Sequence, residues 1–135
     1  MTRSEWLNGL IGCPYRLGAQ GPDEFDCYSL TRTIQKQIFG REMPAFAMPS
    51  RTGRVGIASA IAVHPERKNW AEIEAPVDGA IVTMARNTQG YHMGTWLAVD
   101  EGVIVHALEN VGVVVDGLLT LHAAGWRRFR YHAPL

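Results

Sequence analysis

The pattern of hydrophobic and polar residues changes once along the chain. Before residue 70, apolar residues recur at the three- and four-residue spacing of helices, whereas after it they fall in short runs separated by turn residues. Helices followed by antiparallel strands are typical of an α+β fold with the helices on one side of the sheet. The chain has 135 residues, the size of one domain, and we expect residues 1–135 to form a single domain.

Three helices are predicted in the N-terminal half of the chain. Ser4 is a suitable N-cap for the first, which covers residues 5–11. The second begins near Asp26 and ends at Phe39, where Gly40 is a suitable residue to follow a helix. The third is the alanine-rich stretch Ile57–Val63.

The C-terminal half predicts six strands and one helical turn, over Leu118–Ala124. Turn residues such as those at 100–102 and 116–117 separate the strands, and the pattern predicts that the strands form an antiparallel meander. The predicted strands are Trp70–Glu74, Ala80–Ala85, Tyr91–Val99, Val103–Leu108, Val111–Val115 and Trp126–Tyr131.

The composition disfavours several classes of function. The chain has 13 basic and 13 acidic residues, so its overall charge predicts no nucleic-acid partner. No apolar run approaches the roughly 20 residues that cross a bilayer, so no membrane insertion is expected. The N-terminus has no apolar run of a secretory signal, which predicts synthesis in the cytoplasm. Cys13 and Cys27 lack metal-ligand spacing, and a disulfide between them is not expected in a reducing compartment, so no metal or cofactor is predicted.

Cys27 is the strongest candidate for a reactive group. It follows a Gly/Pro-rich turn and lies at the predicted start of a helix, where unpaired backbone N–H groups and the helix dipole favour a negative sulfur. Such a setting lowers the pKa of a thiol, so we expect Cys27 to be alkylated at about pH 6. Cys13, beside Pro14, is interpreted instead as a small buried hydrophobic residue.

Two of the five histidines are candidates for a catalytic base. His92 and His106 each lie in an apolar strand, whereas His64, His122 and His132 lie in polar, turn or terminal segments and are predicted to face solvent. A lone histidine in a strand is more often a half-buried structural residue. Two of them on adjacent strands, together with a cysteine at a helix start, favour a catalytic function.

The register of the hairpin decides whether these two histidines meet. A three-residue loop at Asp100–Gly102 would place Trp96 opposite His106 and leave His92 about 13 Å farther along the strand. Direct contact needs a turn centred nearer Val99, a bulge or a strong twist.

Four blocks of the sequence resemble the NlpC-type cysteine peptidases, which are compact papain-like enzymes that cut bacterial cell-wall peptides. The blocks are, in order, Gly12–Ala19 with Phe25–Cys27, then Val77–Ala80, His92–Leu97 and Val105–Ala107. The closing portion, residues 112–131, resembles the branch of that family found among phage tail and prophage proteins. The resemblance implies a papain-like domain.

The resemblance also implies a role for each matching residue. Cys27 would be the nucleophile, His92 the general base and His106 the residue that orients the base. Tyr15 would stabilise the oxyanion together with the Cys27 backbone N–H. The implied substrate is the peptidoglycan stem peptide, cut between D-glutamate and a diamino acid. Other phage tail proteins are implied partners, and a phage particle that carries the enzyme to the periplasm or cell wall would explain the missing secretory signal.

Two positions depart from the motif of that family. Ala19 and Ser29 stand where the family often has glycine, which we interpret as a change of specificity. Asp26 is expected to cap the helix, although its charge favours the thiol over the thiolate. Tyr28 and Trp96 are candidate platforms for a sugar or a peptide.

The sequence leaves three functions open. The first is a cell-wall endopeptidase delivered with a phage tail, and the second is a structural tail component that retains the fold without catalysis. The third is a papain-like amidase or acyltransferase that acts on another amide or ester. The presence of Cys27, His92 and His106 in one chain favours the first.

Overall fold

The computed structural model of the protein describes residues 1–43, 69–86 and 91–135. The predicted helix Ile57–Val63 and His64 lie outside these residues. The described helices are α1 (Arg3–Leu10), α2 (Cys27–Phe39) and α3 (Leu118–Ala123). The strands are β1 (Trp70–Ile73), β2 (Ile81–Ala85), β3 (Tyr91–Leu97), β4 (Val103–Leu108), β5 (Gly112–Asp116) and β6 (Arg127–Pro134).

The first helix begins earlier than the sequence predicted. Thr2 is its N-cap, and the Thr2 side chain accepts a hydrogen bond from the Glu5 N–H at 3.1 Å. The prediction that Ser4 is the cap is wrong, because Thr2 already satisfies an N–H of the first turn and Ser4 lies inside the helix.

The second helix follows the prediction closely. Asp26 is its N-cap, and Gly40 ends it in the left-handed conformation with φ of 65°. A residue with a side chain would be strained at that angle, which is why glycine is common at this position. Leu30 and Ile34, four residues apart, are fully buried and hold the helix against the sheet.

The strands form one antiparallel sheet in the order β1-β6-β2-β3-β4-β5. The predicted meander is confirmed for β2 to β5. It is wrong for β6, which returns after α3 and inserts between β1 and β2. Among the described residues, no helix is long and apolar enough to cross a membrane.

The two faces of the sheet carry separate apolar clusters. The helix face packs against α1 and α2, and its buried residues are Leu7, Phe25, Leu30, Ile34, Leu97, Val105, Ala107 and Val113. The far face carries α3, and its buried apolar residues are Val82, Met84, Ile104, Leu121 and Trp126. Burial of each large aliphatic side chain contributes about 1.5–3 kcal/mol. Because side chains alternate along a strand, neighbouring residues of β3 and β4 belong to different faces.

Candidate active site

Cys27 is the first residue of α2 and follows the N-cap residue Asp26. The Asp26 carboxylate accepts hydrogen bonds from the Ser29 N–H at 2.8 Å and from the Gly18 N–H at 3.0 Å. In return, the Ser29 hydroxyl accepts from the Asp26 N–H at 3.0 Å, which completes a capping box. The expected capping role of Asp26 is confirmed. Ser29 has a structural role as well, because its hydroxyl completes the capping box.

Burial sets the protonation state of the Cys27 thiol. The residue is 4% exposed, and loss of solvation, followed by the charge of Asp26, raises the pKa of Cys27 to about 12. The backbone N–H groups of Met93, Tyr28 and Cys27 itself act in the opposite direction. The expected thiolate at about pH 6 is therefore wrong for this arrangement, because burial raises the pKa more than the helix start lowers it.

The thiol lies beside Met93, just beyond the last paired residues of β3 and β4. The ladder between β3 and β4 runs only as far as Thr95 opposite Val105. The backbone N–H groups of even-numbered β3 residues point toward β2; the Trp96 N–H, for example, donates to the Ala80 carbonyl. The N–H groups of odd-numbered residues therefore point toward β4. The Met93 N–H would be the next group in the ladder, but instead it lies close enough to the Cys27 sulfur to lower the pKa of the thiol.

His92 and His106 are in direct contact. The His92 Nε2 and His106 Nδ1 atoms are 2.8 Å apart, and the two ring planes are inclined at 74°. Because Thr95 pairs with Val105, the turn is centred at Asp100, and His92 lies only two positions from the residue opposite His106. Histidine side chains can span that diagonal. The separation of about 13 Å implied by a three-residue loop is therefore wrong.

Gly94 permits this close approach of β3 to β4. In the observed register it falls opposite His106, and a Cβ atom at Gly94 would lie 3.0 Å from the His106 Cβ. The same atom would lie 2.8 Å from the Val105 carbonyl oxygen and 2.8 Å from Ile104 Cγ2. Glycine is therefore needed here for space rather than for an unusual backbone angle.

Asp116 extends the histidine pair to a third side chain. The His106 Nε2 and Asp116 Oδ2 atoms are 2.8 Å apart. Asp116 ends β5 opposite Ile104, so its side chain lies on the same face as His106. The His106 side chain is fully buried, whereas that of Asp116 is 25% exposed. We call the three side chains of His92, His106 and Asp116 the histidine relay.

Asp116 was not predicted as a site residue, because its position next to Gly117 indicated a turn. A signal for it was present, because a short turn joins β4 to β5 and strand side chains alternate with a period of two. Pairing His106 with Val114 places Asp116 on the face of His106, two residues along the strand.

Burial also determines the charge of the two histidines. Desolvation lowers the pKa of His92 well below 6.5, and His106 and Arg86 lower it further. Desolvation lowers the pKa of His106 as well, but the hydrogen bond and charge of Asp116 oppose that shift. Both rings are therefore neutral at neutral pH, and His92 retains a lone pair that can accept a proton.

An aromatic stack holds the His92 ring on its other side. The rings of His92 and Trp126 are stacked at a centroid distance of 5.0 Å with an inclination of 26°. The Arg86 guanidinium lies 4.4 Å from the centre of the Trp126 ring. Within the described residues, the buried Trp126 Nε1–H has no hydrogen-bond partner. The stack restricts rotation of His92, and Arg86 disfavours its protonation.

Tyr15 lies in the loop that runs alongside the start of α2. The Arg16 N–H donates to the Phe25 carbonyl at 3.0 Å, and the Phe25 N–H donates to the Pro14 carbonyl at 3.1 Å. These two bonds hold Tyr15 beside the segment that leads to Cys27. Burial, and then the proximity of Cys27, raise the pKa of Tyr15 well above its usual value. The phenol therefore stays protonated and can donate a hydrogen bond.

The remaining predicted positions have mixed outcomes. Tyr28 is 1% exposed, so its prediction as a substrate platform is wrong: the ring packs in the core. His122 is exposed, as predicted. The prediction that His132 faces solvent is wrong, because it is half-buried and its Nε2 lies 3.2 Å from the Thr83 hydroxyl. Cys13 is a free, half-buried residue that packs against the helix-face cluster.

The structure thus brings His92, His106 and Asp116 together and places Tyr15 near Cys27. The Cys27 sulfur lies beside the N–H of Met93, the residue that follows His92. Within the described residues, the thiol and the His92 ring form no hydrogen bond. Proton transfer between Cys27 and His92 therefore stays a prediction.

A helix that begins with a cysteine and packs on an antiparallel sheet is the arrangement of a papain-like α+β domain. Residues 12–130 match the NlpC/P60 family, and the chain belongs to this family. The fold is similar to the crystal structure of the NlpC/p60 domain of peptidoglycan hydrolase SagA, at 21% sequence identity and a TM-score of 0.56. That likeness covers 95% of this chain and 93% of the other. Comparison with curated proteins gave no match.

Proposed function

We propose that the protein is a cysteine peptidase that hydrolyses the stem peptides of bacterial peptidoglycan. The observation that carries the proposal is the 2.8 Å contact between His92 on β3 and His106 on β4, with the Cys27 sulfur beside Met93, the residue that follows His92. A base that is held by a second polar group, next to a nucleophile at a helix start, is the arrangement that acyl transfer needs. Membership of the NlpC/P60 family and the likeness to a peptidoglycan hydrolase support the same reaction.

The first chemical step follows from the resting protonation states. The Cys27 thiol is protonated and His92 is neutral, so His92 acts as a general base rather than as half of a preformed ion pair. As Sγ attacks the carbonyl carbon of the scissile amide, the thiol proton passes to His92. The new S–C bond gives a tetrahedral intermediate, whose negative charge is on the former carbonyl oxygen.

The second half of the reaction returns the enzyme to its starting state. The Cys27 N–H and the Tyr15 hydroxyl would donate hydrogen bonds to the oxyanion. Protonated His92 then gives its proton to the leaving nitrogen, the C–N bond breaks and a thioester remains on Cys27. Water loses a proton to His92 as it attacks the thioester; the S–C bond then breaks, the proton passes from His92 to the sulfur, and the carboxylic acid product leaves.

Cys27 and His92 are 4% and 5% exposed, respectively. A substrate carbonyl can therefore reach the sulfur only after a neighbouring group has moved. The described arrangement is a resting one, in which the nucleophile is protonated and shielded from solvent.

The proposal also includes the peptide bond that is cleaved and the route by which the enzyme reaches the cell wall. The resemblance of the sequence blocks supports cleavage between D-glutamate, through its side-chain carboxyl group, and the diamino acid. The resemblance of residues 112–131 supports an association with phage tails.

Digestion of purified muropeptides, followed by mass spectrometry, tests the proposed function. We expect the wild-type protein to cleave within the stem peptide and Cys27→Ala to be inactive. Cys13→Ala is the matched control, because it removes the other thiol and should retain activity. Cleavage between sugar and peptide, or transfer of an acyl group, would instead identify an amidase or acyltransferase. Absence of any turnover under reducing conditions would favour a structural tail component.

A further inference from the structure

The hydrogen-bond directions along the histidine relay can be worked out from its outer end. A carboxylate has no hydrogen to donate, so Asp116 Oδ2 accepts and His106 Nε2 carries the hydrogen of that bond. A neutral imidazole has one N–H, and therefore His106 Nδ1 is an acceptor. The His92 Nε2 atom, 2.8 Å away, must then be the donor.

The same reasoning fixes the reactive atom of the inner ring. His92 is neutral because burial lowers its pKa well below 6.5, so a hydrogen on Nε2 leaves Nδ1 with the lone pair. Without Asp116, His106 could equally carry its hydrogen on Nδ1 and donate toward His92. His92 would then present an N–H at Nδ1, which cannot accept the proton of a thiol.

We propose that Asp116 is a positioning residue that fixes the tautomers of His106 and His92 and so makes Nδ1 of His92 the atom that accepts the Cys27 proton. The kinetic part of this inference rests on the proposed function. Within the described residues, the Asp116 carboxylate contacts His106 Nε2, and in this inference it acts through His106.

Asp116 also stabilises the charge that develops during the reaction. When His92 accepts the thiol proton, the positive charge lies at one end of a chain of two 2.8 Å contacts, and the carboxylate lies at the other. Among the residues that the structure describes, Arg86 after β2 and Asp116 on β5 act electrostatically on the two rings, besides the rings themselves. Arg86 opposes protonation and Asp116 favours it.

Two substitutions at Asp116 separate orientation from charge. Asp116→Asn removes the charge but keeps a carbonyl oxygen that can accept from His106. Asp116→Val removes both and suits a strand. Glu101→Gln is the matched control, because it removes one negative charge from an exposed turn residue between β3 and β4.

Ring-nitrogen NMR at neutral pH reads the tautomers without any substrate. We expect the wild-type protein and Asp116→Asn to carry hydrogen on Nε2 of both His92 and His106, and Asp116→Val to give a mixture. If Asp116→Val keeps both Nε2–H tautomers, the inference is overturned. This measurement decides the point even if the wild-type protein cleaves no muropeptide, so failure of the inference and failure of the proposed function can be told apart.

Kinetics give the second readout. We expect Asp116→Val to lower kcat about 10- to 100-fold with KM within about twofold, since orienting partners of reactive groups have effects of that size. The acid limb of the pH profile of kcat/KM should move to lower pH in both Asp116 variants, because loss of the carboxylate removes the effect that raises the pKa of His106. A fall in kcat with an unmoved acid limb and unchanged tautomers would indicate a merely structural residue and overturn the inference. Glu101→Gln should match the wild-type protein in every measurement.

Discussion

The helix face and the far face of the sheet are built by the same strands but by alternate residues. On β4, Val105 and Ala107 turn toward α2 and enter a fully apolar cluster, while Ile104 and His106 turn the other way. The buried residues of the helix-face cluster are all apolar, with Cys13 and Tyr15 packed against them, whereas the far face holds the three side chains of the histidine relay. Residue parity along β4 therefore decides which side chains enter the apolar cluster and which one joins the histidine relay.

Cys27 is the exception that connects the two faces. It belongs to a helix on the helix face and packs with Ile81 and Met93, yet its sulfur lies beside the Met93 N–H, just beyond the end of the β3–β4 ladder. In the proposed function, a group anchored on the helix face acts together with histidines on the far face.

The largest expected effect follows from removal of His92, the proposed base on the far face. His92→Ala should lower kcat/KM by roughly 10²–10⁴-fold, because a positioned general base contributes about that much. The measurement is muropeptide cleavage at saturating and limiting substrate. The rate should not recover at any pH, and retention of more than a tenth of the wild-type rate would assign the base to another residue.

The next effect concerns the residue between the two faces. In a Cys13→Ser background, Cys27 should react with iodoacetamide at pH 7.5 on the order of 10²–10³-fold more slowly than an exposed thiol, because burial raises the pKa of Cys27 to about 12. Asp26→Asn should react faster than its parent, since the Asp26 charge is the second cause of that shift. Rapid alkylation at about pH 6 would contradict this expectation and support the thiolate predicted from the sequence.

The helix face should respond in stability rather than in chemistry. Leu30→Ala should lower the free energy of unfolding by about 2–5 kcal/mol, because it leaves a cavity at a fully buried position. The remaining folded molecules should cleave substrate at the wild-type rate. Urea unfolding and active-site titration measure the two quantities, and a matched loss of both would contradict the separation of the faces.

Gly94→Ala should disturb both properties at the junction of β3 and β4. The new methyl group would meet the Val105 carbonyl oxygen at 2.8 Å, and we expect a loss of about 1–3 kcal/mol in unfolding free energy. Cleavage should fall as well, because the strands that carry His92 and His106 are forced apart. Gly9→Ala is the control. A Cβ atom at Gly9 would have no neighbouring atom within 4 Å, and alanine has the better helix propensity, so the unfolding free energy should be equal or slightly higher.

The smallest effect is a pH dependence of stability that comes from the far face. The pKa of His92 is lowered in the folded protein, so below about pH 6.5 the unfolded chain binds a proton that the folded chain excludes. The free energy of unfolding should therefore decrease as the pH falls from 7.5 to 5.5, by about 1.4 kcal/mol per pH unit for each such group at most. His92→Gln should flatten this dependence, and an equal slope in that variant would trace it to other groups.

Local sequence signals predicted most of the elements correctly. Asp26 before the apolar helical pattern and Gly40 after it marked both ends of α2, because caps are recognised from a few neighbouring residues. The β4 strand was predicted at its observed ends, Val103–Leu108, because turn residues lie on each side. The insertion of β6 between β1 and β2 left no such mark, since strand order depends on contacts between distant parts of the chain.

The sequence identified most of the residues of the candidate site but not how their side chains contact one another. Cys27 and the two histidines were identifiable from their context in the sequence. The His92–His106 contact depends on a shift of one residue in the centre of a turn, and Asp116 depends on that register being continued to β5. The protonation state of Cys27 depends on burial, which a helix-start argument alone does not include.

The Asp26 carboxylate has a mechanical consequence. One of its oxygens holds the Ser29 N–H at the start of the nucleophile helix, and the other holds the Gly18 N–H in the loop that follows Tyr15. The start of the helix that carries Cys27 and the loop that carries Tyr15 are therefore joined through one buried side chain. If Tyr15 and the Cys27 N–H form the oxyanion hole as proposed, this connection would fix the relative position of the two donors before the substrate arrives.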